Sequence, residues 1–285
     1  MVDFDAASLL LQWATGGLLF LWVTTRHRVV SLGYGWLMRG VYGLMAAGAF
    51  YIGVFVIDPL PVRDVSSALV AVVAFAVLGV SIVRRGAGVS EQRALAEQRS
   101  ARVAAMTGID REAKEKDADV PEFDPRLDLI APVIGMVGVV AAGIAAGSPE
   151  WLSVSRFVVG ALFLGVITDA MLLGHWYLVQ PGMARAPLLE LVQWTQWLTI
   201  PEIVLLLVPT GMVSVLNGTI DDGYGGLLGW FWVACAVTTV GLVIVTRLAL
   251  KERQYSAVMA ATGLLYLAIL TAFGTDLVAR ALLSG

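Results

Sequence analysis

Long apolar runs, separated by short polar connections, recur along this sequence from Ser8 to Leu277. A helix crossing the ~30 Å hydrocarbon core of a bilayer needs roughly 20 such residues. Eight segments approach or exceed that length: Ser8–Thr25, Trp36–Ile57, Ser66–Val83, Leu129–Ala146, Val154–Gln180, Pro187–Leu216, Gly226–Thr246 and Ser256–Leu277. The strict apolar–polar alternation of barrel strands is absent, which leaves helices as the spanning structure. The expected fold is therefore an all-α, polytopic bundle of eight transmembrane helices, with residues 1–285 forming a single transmembrane domain. Composition agrees: 58% of residues are hydrophobic and 14% charged, where a soluble domain is about 25% charged. A net charge of −3, with no basic stripe free of membrane flanks, excludes a nucleic-acid partner. One cysteine excludes a disulfide framework and any multi-thiolate metal site.

Basic residues set the expected orientation. Sixteen of the 19 lie on the first, third, fifth and seventh connections, and only Arg63, Arg156 and Arg280 fall on the opposite side. The positive-inside bias then makes both termini extracytoplasmic, in a cell membrane. Met1–Leu10 holds Asp3 and Asp5 and no basic residue, so Ser8–Thr25 reads as a retained span rather than a secretory signal.

The 45-residue connection Arg84–Asp128 carries 19 of the chain's 41 charged residues. It reads first as a solvated linker along the membrane, and second as a docking surface for a cytoplasmic protein partner. Otherwise the partner is the lipid bilayer. Gly138, Ala142, Gly143, Ala146 and Gly147 give the fourth span a small-residue face suited to packing within the bundle. A short echo between Leu11–Thr15 and Val192–Thr195 is not a parallel repeat, because the two spans run in opposite directions.

Polar side chains within hydrocarbon are costly and mark the first place to look for function. Spans five and six concentrate them: Asp169, His175, Trp176, Tyr177 and Gln180, then Glu190, Gln193, Trp194, Gln196, Trp197 and Glu202. At 1.5 Å per residue, His175 lies about 7 Å and Asp169 about 16 Å from the end of span five. On span six, Glu190, Gln193 and Glu202 lie about 4, 9 and 22 Å from its start. Asp169 and Glu202 fall in the central third and are the candidates for a proton relay or a cation site. His175, Trp176, Tyr177, Glu190, Gln193, Trp194 and Trp197 are the candidate ligand-binding set, able to face a quinone or a haem b. His175 reads equally as a core histidine bonded to Gln193, and a bis-histidine haem between His27 and His175 is geometrically open. Asp276 and Arg280, four apart, read as a structural pair.

Three functions fit this constellation. The leading one is an anchor subunit of a membrane redox complex, with quinone or haem on the span five–six hairpin and Asp169 and Glu202 moving protons. The second is a proton- or cation-coupled transporter of a small solute. The third is a membrane assembly or scaffold protein with no site of its own.

Overall fold

The computed structural model describes residues 5–84, 123–179, 183–208, 211–252 and 254–283. Within them all regular structure is helical. The helices are α1 (Ala6–Thr25), α2 (Leu32–Phe55), α3 (Pro61–Val83), a 3-10 turn (Pro125–Leu129) leading into α4 (Ile130–Ala145), α5 (Glu150–Val179), α6 (Ala186–Leu207), the short α7 (Met212–Leu216), α8 (Leu227–Lys251) and α9 (Tyr255–Leu283). The expected loop structure of residues 85–122 lies outside the described residues.

Seven helices are long and apolar enough to cross a membrane: α1, α2, α3, the 3-10 turn with α4, α5, α8 and α9. The segment expected as a sixth span, Pro187–Leu216, is divided. Val208 is extended at ψ 160° and ends α6, as a residue preceding a proline prefers, here Pro209. The remaining 22 residues of α6 include Glu190, Gln193, Gln196 and Glu202, which lower its apolarity below that of the other seven.

Side-chain contacts fix the helix directions. Asp5 pairs with Arg63 at 3.1 Å, placing the starts of α1 and α3 together. Gln12, the Phe157 carbonyl and Arg280 meet at this same end, which therefore also holds the start of α5 and the finish of α9. At the other end, Arg26 pairs with Glu190 at the start of α6, and Trp176 near the end of α5 bonds Ser31 before α2 at 2.9 Å. We term these the upper and lower ends.

Two rings of four helices result. In the first, α1 touches α2, α2 touches α3, α3 touches α4, and α4 returns to α1; α5, α6, α8 and α9 close a second ring in the same order. The rings join mainly through α1 and α5, whose most apolar stretches are 67% and 72% buried, against 33% for α8 and α9. Glycine permits this junction. A Cβ on Gly16 would overlap the Ala161 carbonyl, and one on Gly165 would overlap the Gly16–Gly17 backbone. Small residues let helix backbones approach closely where no aqueous hydrophobic force drives them together. The small-residue face of α4 packs within the chain too, Gly138 against Leu11 and Ser66, Gly143 against Val154 and Phe157.

Several helices run past the expected span ends. As a result Arg63, Asp64 and Arg280 are buried within helices rather than solvated at their ends, and Arg39, Arg156 and Asp276, inside the expected spans, are buried as well. Each persists there because it has partners, and those partners separate the sites described next.

Candidate functional site

Asp169 lies on α5 beside the α1–α5 crossing and is fully buried. Tyr42 of α2 reaches it by passing over Gly17 of α1, where any Cβ would strike the Tyr42 ring. The Tyr42 hydroxyl donates to Asp169 Oδ1 at 2.5 Å, and the Tyr34 hydroxyl donates to the Asp169 carbonyl at 3.3 Å. Among the described residues Asp169 Oδ2 has no hydrogen-bond partner. One residue earlier, Thr168 accepts from the Trp13 indole of α1 at 2.9 Å and donates to its own helix at Leu164.

A second cluster occupies the upper third of the bundle. Arg280 of α9 donates from Nε to Asp276 Oδ1 at 2.8 Å and from Nη1 to Gln12 Oε1 of α1 at 2.7 Å. Its guanidinium sits 5.2 Å from the Phe157 ring centre. Gln12 in turn donates to the Phe157 carbonyl at 3.0 Å. Arg156 of α5 is turned elsewhere: its Nε donates to the Leu205 carbonyl at 2.9 Å and its Nη2 to the Val208 carbonyl at 3.5 Å. It thereby satisfies carbonyls at the end of α6 that lack intrahelical donors. Glu202, on that last part of α6, lies against Asp276 within hydrogen-bonding reach and in the field of Arg280 and Arg156. Among the described residues no N–H or hydroxyl donor reaches either of its oxygens or Asp276 Oδ2, so only a proton shared between the two carboxyls can join them. The void lined by Arg156, Phe157, Leu206, Arg280 and Leu283 is about 10 Å³, the size of one water at most. The expected Asp276–Arg280 pair is present, as one element of a larger cluster.

Asp169 and Glu202 therefore occupy two sites. Both sites bond across the junction of the two rings, through Tyr42–Asp169 and through Gln12–Arg280.

The remaining candidates on the hairpin diverge. His175 is exposed and turns to α9, its Nδ1 3.0 Å from the Tyr266 hydroxyl, and no bond to Gln193 forms. Trp176 turns to the start of α2, bonding Ser31 and meeting the Tyr34 ring edge-on at 5.9 Å. Tyr177 is buried and its hydroxyl donates to the Ala184 carbonyl. Glu190 pairs with Arg26. Gln193 is half-buried. Trp194 meets Phe20 and Trp197 edge-on at 6.1 and 5.3 Å, and both tryptophans are exposed on the outside of the bundle. These seven side chains form no single ring-binding pocket. His27 is exposed and accepts from Arg26 Nε at 3.1 Å; with His175 engaged against α9, the residues present do not fit a bis-histidine haem.

A further buried ion pair, whose pairing the sequence pattern does not mark, lies at the lower end. Arg39 of α2 grips Asp128 with two bonds of 2.7 and 2.8 Å, and its third nitrogen donates to Ser81 at 3.3 Å. Thr25 adds a donor to Asp128 at 3.1 Å, and the Phe123 ring lies 4.6 Å from the guanidinium. Its signal in the sequence is an arginine followed by apolar residues continuous enough to keep a helix going through it. Arg63 is likewise bonded to Asp64 and Asp5.

Among the described residues no group of three or more His, Cys, Asp or Glu side chains is placed to hold a metal ion. No protein-family model matches the sequence, and no curated protein or solved structure matches it either.

Proposed function

We propose that the protein is a proton-coupled, multi-pass transporter of a small solute in the cell membrane, with Asp169 and the Glu202–Asp276 pair as its proton-carrying sites. One observation carries this reading. Among the described residues, both carboxylate sites hold buried oxygens that no protein donor reaches, Glu202 and Asp276 facing each other as a carboxyl pair, and both hold a hydrogen bond across the junction of the two rings. An orphan carboxylate oxygen inside a bundle calls for a proton or a cation to satisfy it. Gaining or losing that proton at Asp169 changes what Tyr42 can donate to, and so changes a bond between the two rings. Alternating access in many transporters is a movement of one bundle against another around a buried site. A junction built on bare glycine contacts suits such a movement.

In this reading α6 is an eighth span, since 22 residues reach about 33 Å as a helix. The upper end faces the extracytoplasmic side, because the basic connections gather at the other end. The connection 84–128 then lies in the cytoplasm, where a partner protein has access to it. The redox-anchor reading loses support because its ring-binding residues point to separate faces.

The test uses the full-length protein in proteoliposomes with a pH-sensitive dye inside. Inward gradients of amino acids, sugars, organic acids and metal cations are imposed in turn. One class is expected to move protons, and Asp169→Asn and Glu202→Gln are each expected to abolish that movement. Proton movement at the wild-type rate in the double variant overturns the proposal. A Soret band or co-extracted quinone, with no solute-linked proton movement, supports the redox anchor instead.

A further inference from the structure

A groove of about 300 Å³ lies between α6 and α8, away from both carboxylate sites, lined by Gln196, Trp197, Ile200, Val240, Ile244 and Arg247 among others. Its volume is at the lower end of ordinary ligand pockets. Trp197, Ile200 and Ile244 are 55%, 56% and 41% exposed, so the groove opens sideways on the outside of the bundle.

Arg247 behaves unusually here. Arg185, just before α6, bonds the carbonyls of Glu252 and Gln254 just after α8, which sets the lower ends of the two helices level. Counted from there, Arg247 starts about 8 Å into the bundle and Gln196 about 16 Å in. An arginine near a span end ordinarily snorkels its charge out to the interface. Arg247 reaches the other way and donates from Nη1 to Gln196 Oε1 at 2.6 Å. No carboxylate among the described residues pairs with it. Among the described residues nothing else bonds its Nε and Nη2 protons or the Gln196 amide N–H groups, which leaves them to an incoming acceptor.

We infer that the α6–α8 groove binds a lipophilic carboxylate, such as a long-chain fatty acid, which enters sideways from the bilayer. The charges match one to one, and a guanidinium edge grips a carboxylate in two parallel bonds. A phospholipid fits less well: its phosphate is tethered at the interface, several ångströms from where Arg247 points. The apolar wall of Val240, Ile244, Ile200 and Trp197 takes the hydrocarbon body. This binding stands independently of the transport reading above.

The experiment uses the full-length protein in phospholipid nanodiscs titrated with bromine-labelled stearate, read by tryptophan quenching. Saturable quenching is expected, displaced by unlabelled stearate and not by methyl stearate, with the saturable part lost in Trp197→Phe. Arg247→Gln is expected to weaken binding about tenfold or more, the cost of losing a charge-assisted pair. Quenching that rises linearly without saturation shows bilayer partitioning only and overturns the inference. So does equal binding of the methyl ester, a comparison made on the wild-type chain. Equal quenching by bromine-labelled phosphatidylglycerol in wild type and Arg247→Gln marks ordinary lipid contact and overturns it as well.

Discussion

Two clusters of buried charge use the same residue types and differ in how completely they are satisfied. At the lower end, Arg39 and Asp128 close on each other with two short bonds, and Ser81 and Thr25 take up the remaining capacity. At the upper end, Arg280 and Asp276 pair through one bond, Arg156 is drawn off to the end of α6, and Glu202 is left facing Asp276 with no cationic or hydroxyl donor among the described residues. A complete cluster ties helices together: Arg39–Asp128 fastens α2 to the start of α4, with α1 and α3 contributing hydroxyls. An incomplete one is poor glue, and in a bundle interior it persists where something else uses it. Burial of an ionisable residue is thus a weak guide to role; the count of unanswered oxygens is a better one.

The comparison breaks most sharply at Arg39. Arg39→Leu strands the Asp128 carboxylate, and losing one partner of a buried pair costs about 3–5 kcal/mol. Thermal unfolding in detergent should show a large fall in Tm, or the variant should fail to accumulate. Tyr42→Phe removes the one side-chain donor to Asp169 and should cost about 1–3 kcal/mol. It should also shift the pH profile of any proton movement, which a purely structural tyrosine would leave in place. Glu202→Gln keeps an amide that can donate to Asp276 in place of a shared proton, so stability should stay within about 1 kcal/mol of wild type while proton-linked uptake is lost. A Glu202→Gln variant as unstable as Arg39→Leu would erase the distinction between the clusters.

The smallest effect is expected at Asp222, in the connection before α8. The Gly226 N–H, with those of Tyr224, Leu228 and Gly229, holds its carboxyl below the usual carboxylate range. With the folded value lowered, its stabilisation is complete above the ordinary carboxylate range and is lost as pH falls through the lowered value. Asp222→Asn should therefore lower Tm slightly at neutral pH and flatten its dependence on acid. An unchanged acid dependence would show that the capping bonds contribute nothing.

Much of this was legible in the sequence, and the failures share a cause. Seven of the eight expected spans are helices long and apolar enough to cross a membrane, and Asp276–Arg280 followed from helical spacing. The buried positions of Asp169 and Glu202 followed from their distance to the nearest polar connection. Their partners did not: Tyr42 meets Asp169 only because Gly17 and the Gly16–Gly165 contact bring α2 within reach of α5. Arg39 and Arg156 lie within two or three residues of the expected span starts and count there as flanking charges, whereas the structure buries both, because spacing along the chain does not reveal a partner on another helix. Trp194 and Trp197 share a stripe with Glu190, and the stripe points outward. In a bilayer, apolarity does not separate inside from outside, because lipid is as apolar as a protein core.

The most direct measurement is the infrared difference spectrum of the reconstituted protein on a pH jump, recorded for wild type and Glu202→Gln. The account predicts a carboxylic acid C=O band that appears or vanishes with pH in wild type and is missing or displaced in Glu202→Gln. A wild-type spectrum without such a band, or one that Glu202→Gln leaves unaltered, would contradict the assignment of Glu202 as a proton carrier.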